Sequence, residues 1–328
     1  MLVSKKTTSA LKGIAVIGVV IIHMTSKVNS ASVFGQVTPL LNQYARFAVP
    51  FFFLMSGFGL EKSHKFSLPF RDFLKGRLGK LVPAYVIWNL VYYIIIHRYG
   101  MDYNFLSLVK GVILGTISPQ MYYVPLLLMF YVMYPILRRS ASDLNYVIFW
   151  LVVTFLSQSM SIFYPISNLQ GLNVLNWIGY FVIGIFLGRD SVQIHISKVM
   201  NIFIDSVVVV SIIMVGVLAY RGYGVTNFNP FVVPYSLALF WLFTKLKALT
   251  HMNLFIFLGR KSYTIYLAHL LFLRILGGLI PVKGFFSFFL VLFGVLALSV
   301  VTDLVIIRMT VLLKKALEKL HLKKMPEN

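Results

Sequence analysis

The sequence predicts an all-α integral membrane protein, a bundle of about ten transmembrane helices with both termini in the cytoplasm. Hydrophobic residues make up 59% of the 328 residues and charged residues only 12%, and the mean hydropathy is +0.85. Soluble domains carry roughly 25% charged residues. Apolar segments recur from end to end with no polar domain between them, so residues 1–328 are predicted to form one membrane domain with a polar tail at about 309–328.

A helix crosses a bilayer with about 20 mainly apolar residues, or somewhat fewer where the bilayer is thinned. On this basis the predicted spans are residues 11–29, 44–61, 81–97, 121–137, 144–163, 174–188, 200–220, 229–244, 262–280 and 285–307. Residues 104–118 are too short for a span and contain Lys110. This segment is predicted to be an interfacial or re-entrant helix before the fourth span.

The basic residues predict the orientation of the spans. The net charge is +21, but the Lys and Arg residues lie in short loops between apolar segments, which argues against nucleic-acid binding. With the N-terminus inside, 23 of the 30 Lys and Arg residues fall in inner loops and five in outer loops. Positive charge is retained on the cytoplasmic side, so this distribution predicts that both termini are cytoplasmic.

Several classes of enzyme site are excluded by the sequence. The chain has no Cys, which excludes disulfides, thiolate catalysis and Cys-ligated metals. It also lacks a phosphate-binding glycine loop, a GxSxG elbow and a His-Glu-x-x-His metal site, so no metal is expected. Ionisable residues inside the spans remain as the candidates for chemistry, because polar groups at membrane depth cost several kcal/mol unless they are paired or hydrated.

His23 and Arg46 are the first two candidates. His23 lies roughly 16 Å along the first helix from Lys12, near the membrane midplane, where an imidazole can act as a general base. It is alternatively a structural histidine bonded to a neighbouring helix. Arg46 opens the second span in its outer half, and its alternative interpretation is an interfacial arginine that extends to the head groups.

The ninth span contains His269 in its inner half and Arg274 in its outer half. Asp303 in the last span is also in the inner half, so a His269–Asp303 pair is geometrically possible. The alternative is a structural ion pair that closes the bundle. On the inner loop 70–83, Arg77 and Lys80 share one helix face. This face suits either the phosphates of a cytosolic cofactor such as coenzyme A or anionic lipid.

Five segments together resemble the acyltransferase-3 family of ten-helix membrane acyltransferases. They are LKGIAVIGVVIIH (11–23), RFAVPFFFLMSGFGL (46–60), RDFLKGRLGKLVPAY (71–85), QMYYVPLLLMFY (120–131) and LGRKSYTIYLAH (258–269). Their order and spacing match the family over essentially the whole chain. The resemblance implies transfer of an acyl group, commonly acetyl from acetyl-CoA, to a hydroxyl of an extracytoplasmic carbohydrate at the bacterial cytoplasmic membrane.

The resemblance also implies roles for individual residues. His23 matches the first-span histidine regarded as catalytic, and Arg46 matches a second site residue. The paired basic motif of the third span falls on Arg77 and Lys80, and the usual arginine of the first span is Lys12. These two lysines keep the charge but lose a guanidinium fork that grips phosphate in a bidentate manner.

The resulting hypothesis is a site between the first, second and ninth spans. Acyl-CoA would bind from the cytosol against Lys12, Arg77 and Lys80, with its thioester directed toward His23 as base or acyl carrier. The remaining candidates would contact the acceptor: His269 and Arg274 in the ninth span, and Tyr122 and Tyr123 at the outer end of the fourth. These tyrosines are alternatively interfacial belt residues. The competing hypothesis for the whole protein is a polysaccharide exporter of the same fold.

Overall fold

The computed structural model describes residues 4–26, 28, 33–64, 67–97, 104–163, 170–192, 197–221 and 230–322. Five of the basic residues counted above lie outside these ranges: Lys27, Lys65, Arg98, Lys323 and Lys324. The first half contains α1 (Lys5–Thr25), α2 (Val33–Ala45), α3 (Ala48–Lys62), α4 (Phe70–His97), α5 (Phe105–Leu114), α6 (Tyr123–Ser140) and α7 (Leu144–Phe163). The second half contains α8 (Ile178–Gly188), α9 (Lys198–Tyr220), α10 (Val232–Lys245), α11 (Lys247–Thr250), α12 (Asn253–Arg260), α13 (Ser262–Leu279) and α14 (Phe285–Leu322).

Every predicted span corresponds to a helix, and six of the described helices are long and apolar enough to cross a membrane alone. These six are α1, α4, α7, α9, α13 and α14. The helices α5, α8 and α10 are apolar but shorter, and α3 has 15 residues. The all-helical membrane fold is therefore confirmed for the described residues, while the count of ten spans and the orientation stay predictions.

The structure corrects one helix boundary. The second span was predicted to run unbroken through Arg46, but α2 ends at Ala45 and α3 begins at Ala48, so Arg46 lies at a turn between them. The polar tail predicted at about 309–328 is helical as far as Leu322, because α14 continues without interruption to that residue. A run of good helix formers such as KKALEKL extends an existing helix readily, because no new helix nucleus has to form.

Close helix contacts at the centre of the bundle depend on glycine. A Cβ added at Gly57 would lie 2.2 Å from the Phe181 carbonyl oxygen, and one at Gly184 would lie 2.1 Å from that of Leu54, which brings α3 against α8. On α1 and α12, Gly13 and Gly259 have the same role. Small residues allow helix backbones to approach closely in membranes, where packing rather than hydrophobicity drives association.

An ion pair joins the C-terminal end of α3 to the C-terminal end of α6. Arg138 Nε donates to Glu61 Oε2 over 2.9 Å, and Tyr134 Oη donates to the same oxygen over 2.9 Å. Glu61 is buried, and its hydrogen bond raises the pKa of the Arg138 guanidinium, which stays charged. The pair therefore neutralises a buried carboxylate.

The long helices differ in their position in the bundle. The helices α1 and α13 are the most deeply buried of the six long ones, whereas α7, α9 and α14 expose many large apolar side chains. Exposed apolar surface of this extent suits contact with lipid. The helices α1 and α13 therefore lie toward the centre of the bundle, where His269 of α13 is fully buried.

Candidate active site

Two histidines from different helices lie next to each other in the centre of the bundle. The His23 and His269 ring centroids are 5.2 Å apart, with the ring planes tilted by 41°. The side chain of His269 is fully buried. His23 lies near the end of α1, and His269 lies in the middle of α13. Both were predicted as site residues from the sequence, but their proximity was not predicted.

The tautomer of His269 follows from its hydrogen bonds. Its Nδ1 lies 2.7 Å from the carbonyl oxygen of Tyr266 and 3.3 Å from that of Ile265. A carbonyl oxygen only accepts, so Nδ1 carries the proton and donates it. Nε2 is then an acceptor, and it is buried without a hydrogen-bond partner among the described residues.

The prediction of a possible His269–Asp303 pair is wrong. The carboxylate of Asp303 accepts hydrogen bonds from Lys261 Nζ over 2.6 Å and from Thr264 Oγ1 over 2.5 Å. Lys261 and Thr264 lie at the start of α13, about one to two turns before His269. The rotation of α13 directs His269 toward α1, and sequence distance alone does not define this rotation.

Arg46 is fixed next to the end of α1 by an asparagine that the sequence reasoning missed. Arg46 is buried, and its Nε and Nη2 donate to Asn42 Oδ1 over 2.9 and 2.7 Å. The Nδ2 of Asn42 donates to the Ile22 carbonyl oxygen over 3.0 Å and to Thr25 Oγ1 over 2.7 Å. Asn42 therefore joins Arg46 to the backbone that carries His23, and Arg46 is close enough to His23 to interact electrostatically.

A cavity of about 140 Å³ lies between α1, α3, α4, α6 and α13. Its lining combines hydroxyl groups and aromatic rings with one ammonium group, and includes Lys12, Ser56, Tyr123, Tyr131, Ser262 and Tyr266. Since Lys12 and Ser262 are near the starts of α1 and α13, the cavity lies toward the end of the bundle opposite to that of His23. It involves two more helices than the predicted site between the first, second and ninth spans.

A layer of aromatic rings separates this cavity from the two histidines. The Tyr266 ring is 5.9 Å from Phe52, 5.2 Å from Tyr123 and 6.0 Å from His269, measured between centroids. The Tyr266 hydroxyl donates to the Gln120 carbonyl oxygen, which holds the ring in place. Tyr266 thus contacts the cavity on one side and His269 on the other.

The three basic residues expected to bind a cofactor are placed differently. Lys12 lines the cavity directly. The guanidinium of Arg77 lies 5.9 Å from the ring of Tyr131, a cavity residue, and donates to Ser63 Oγ over 3.1 Å. Arg77 is also close enough to Lys12 to interact electrostatically. Lys80 is exposed on α4 and is not part of the cavity lining.

The residues expected to contact an acceptor are not grouped together. Tyr123 is buried in the aromatic layer, where its hydroxyl lies 3.3 Å from Ser56 Oγ. Tyr122 is half-buried, packs on Trp177 at 6.0 Å and interacts electrostatically with Arg46. Arg274 is exposed on α13, one to two turns beyond His269.

The comparisons with known proteins agree with the resemblance seen in the five segments. The model of the acyltransferase-3 family, described as an acyltransferase domain, matches residues 9–304. The matched range includes both histidines, Arg46 and the whole lining of the cavity. No curated protein and no solved structure matches the chain.

Proposed function

Because this chain belongs to the acyltransferase-3 family of membrane acyltransferases, we propose that it transfers a short acyl group, most simply acetyl, from cytosolic acyl-CoA to a hydroxyl of an extracytoplasmic glycan. The observation that carries the proposal is the pair of imidazoles beside Arg46, separated by one layer of rings from a cavity with a cationic lining. Such an arrangement supplies groups for acyl transfer on one side and an anion-binding entrance on the other. We expect the protein in the bacterial cytoplasmic membrane.

Lys12 and Arg77 are the proposed contacts for the phosphates of acyl-CoA. A lysine acts as a point charge and an arginine as a planar donor, so the two together suit a flexible polyphosphate. Lys80 is proposed as an outer contact only, since its side chain is exposed and outside the cavity lining. The thioester would enter along the hydroxyl groups of the cavity and pass Tyr266 to reach His23.

His23 is the proposed catalytic group, as base or as acyl carrier. As a base it removes the proton of the acceptor hydroxyl while the oxygen attacks the thioester carbonyl; the C–S bond then breaks, and coenzyme A leaves as its thiol with that proton. As a carrier its nitrogen attacks the carbonyl first and the C–S bond breaks to release coenzyme A; the acceptor hydroxyl then attacks the acyl-imidazole and displaces the imidazole. In both cases negative charge develops on the carbonyl oxygen, and Arg46 is the cation beside His23 that can stabilise it in a site with little water.

The acceptor is proposed to approach from the side of Arg46 and Tyr122. Tyr122 offers a ring face and a hydroxyl there, and Arg274 lies further out on α13. His269 and Tyr123 are the deeper proposed contacts, next to His23 and in the aromatic layer. A glycan suits this surface because sugar rings combine apolar faces with hydroxyl groups, which aromatic and polar side chains recognise together.

His23→Ala tests the proposed function directly. We expect the purified variant to lose acyl-CoA-dependent acylation of surface glycan by about 100-fold or more, because general acid–base catalysis contributes this much. The measurement is release of free CoA from acetyl-CoA in the presence of isolated glycan, with the ester detected on the product. His251→Ala is the matched control, since His251 is an exposed histidine that does not line the cavity and does not pack against His23.

Two results would contradict the proposal. Near-normal activity of His23→Ala would exclude His23 from catalysis. Wild-type protein that releases no CoA with any glycan or acyl-CoA, yet moves glycan across vesicle membranes, would favour the exporter.

A further inference from the structure

The Nε2 atom of His269 is a buried hydrogen-bond acceptor that the proposed reaction has not yet used. The side chain is fully buried, and its Nδ1–H is committed to the backbone carbonyl of Tyr266. Nε2 therefore presents a lone pair and has no partner. A buried polar atom without a partner costs roughly 1–3 kcal/mol, so its presence calls for an explanation.

The neighbouring imidazole of His23 has the opposite requirement. A neutral histidine that acts as base or nucleophile uses the lone pair of one nitrogen, and its other nitrogen carries a proton that needs an acceptor. In many hydrolases a carboxylate accepts that proton and so fixes the tautomer. The ring of His23 makes no hydrogen bond to another described residue, and its ionisable neighbours are His269 and Arg46.

No described carboxylate is placed to serve His23. Glu61, Asp190, Asp205 and Asp303 are paired with basic residues on the inner side, and Asp72 and Asp143 are exposed. His269 Nε2 is the available acceptor. The two rings are not hydrogen-bonded in the structure, but their 5.2 Å centroid separation leaves about 3 Å, the usual length of a hydrogen bond, between ring nitrogens that turn to face each other.

We propose that His269 is a positioning residue that accepts the N–H of His23 at Nε2 and thereby fixes the tautomer of His23. Two hydrogen bonds then follow in series: His23 N–H donates to His269 Nε2, and His269 Nδ1–H donates to the Tyr266 carbonyl oxygen. The other ring nitrogen of His23 is then always the one that carries the lone pair. This role of His269 is the same whether His23 acts as base or as acyl carrier. It rests on the proposed function only for the expected effect on the reaction rate.

Two variants of similar size separate this role from a structural one. His269→Gln keeps an acceptor, the amide oxygen, near His23, whereas His269→Leu removes it. A buried Leu is easier to accommodate than a buried Gln, so a purely structural role predicts that His269→Leu is the better folded and more active of the two. The tautomer role predicts the opposite order of activity.

The first measurement is steady-state CoA release. For His269→Leu we expect kcat to fall about 100-fold or more, while the KM for acetyl-CoA stays within about twofold, because the donor cavity is unchanged. His269→Gln is expected to retain about tenfold more kcat than His269→Leu. Equal losses in the two variants, or a higher kcat for His269→Leu, would overturn the proposal.

The second measurement does not depend on enzyme activity. Two-bond proton–nitrogen NMR spectra of protein labelled with ¹⁵N-histidine report which ring nitrogen carries the proton, with His23 assigned by its loss in His23→Asn. We expect one tautomer of His23 in the wild type and in His269→Gln, and a mixture in His269→Leu. An unchanged single tautomer in His269→Leu would overturn the proposal, and a failure of the proposed function would instead appear as wild-type protein without CoA release.

Discussion

Asn42 connects the two groups on which the proposed chemistry depends. Its amide oxygen accepts two hydrogen bonds from Arg46, and its amide nitrogen donates to the carbonyl oxygen of Ile22. Ile22 immediately precedes His23. An uncharged side chain therefore sets the distance between a cation at the α2–α3 turn and an imidazole on α1, and a shift of about 1 Å at such a site is enough to reduce rates strongly.

Asn42→Ala is expected to reduce kcat about tenfold or more, because Arg46 loses its partner and the end of α1 loses a contact. The measurement is CoA release with saturating acetyl-CoA. Asn89→Ala is the matched control, since Asn89 is also fully buried and bonded to a backbone carbonyl, that of Tyr85 over 2.8 Å. If both variants lose stability to the same extent and also lose the same activity, Asn42 has only a structural role.

The sequence predicted individual residues better than their partners. His23 and Arg46 were found because an ionisable group at membrane depth is costly. The predicted partner of His269, Asp303, was wrong, and Asn42 was not identified as a site residue. The contacts of both His269 and Asn42 depend on the rotation of one helix against another, which the sequence does not define. In addition, an uncharged amide in an apolar segment gives no charge signal.

At the scale of whole helices, the packing of α3 against α8 depends on which face of α3 carries its glycine. Gly57 and Gly59 are two residues apart and so point to different sides of the helix. A Cβ at Gly57 would meet the α8 backbone, while a Cβ at Gly59 would have no atom within 4 Å. Replacement of each glycine by alanine therefore separates the effect of helix packing on the free energy of unfolding from the effect of helix propensity.

Gly57→Ala is expected to lower the free energy of unfolding by about 1–3 kcal/mol, because α8 must move away. Gly59→Ala is expected to be neutral or to raise it by up to about 1 kcal/mol through better helix propensity. Thermal unfolding in detergent, followed by tryptophan fluorescence, compares the two. Equal stability of both variants would show that the α3–α8 contact is not as close as the structure describes.

Hydropathy predicted where helices lie, but not how far each one crosses. All ten predicted spans are helices, since apolar length is a strong local signal. The break at Arg46 and the short helices α2 and α12 escaped this reasoning. They have apolar composition similar to their neighbours, and only tertiary contacts such as those of Asn42 and Gly259 stabilise their ends.

For the whole molecule, the remaining question is the number of crossings. Helix α8 has 11 residues and is roughly 16 Å long, against a hydrocarbon core of about 30 Å. The predicted excess of positive charge in the inner loops holds only if α8 crosses nonetheless. If α8 did not cross, every basic loop after it would change sides. The loops that contain Lys245, Lys247, Arg260 and Lys261 would then lie outside the cell.

Cysteine labelling decides this question, because the chain has no Cys of its own and each introduced thiol is therefore unique. Ser142, His251 and Lys283 are exposed in loops, and four predicted spans separate Ser142 from His251. With ten spans, an impermeant maleimide on intact cells should label Lys283→Cys, and should label Ser142→Cys and His251→Cys only after permeabilisation. Labelling of His251→Cys but not Ser142→Cys in intact cells would mean an odd number of crossings between them. Lys12 on α1 and Ser262 on α13, which both line the cavity, would then belong to opposite sides of the membrane. The route proposed for acyl-CoA would be wrong.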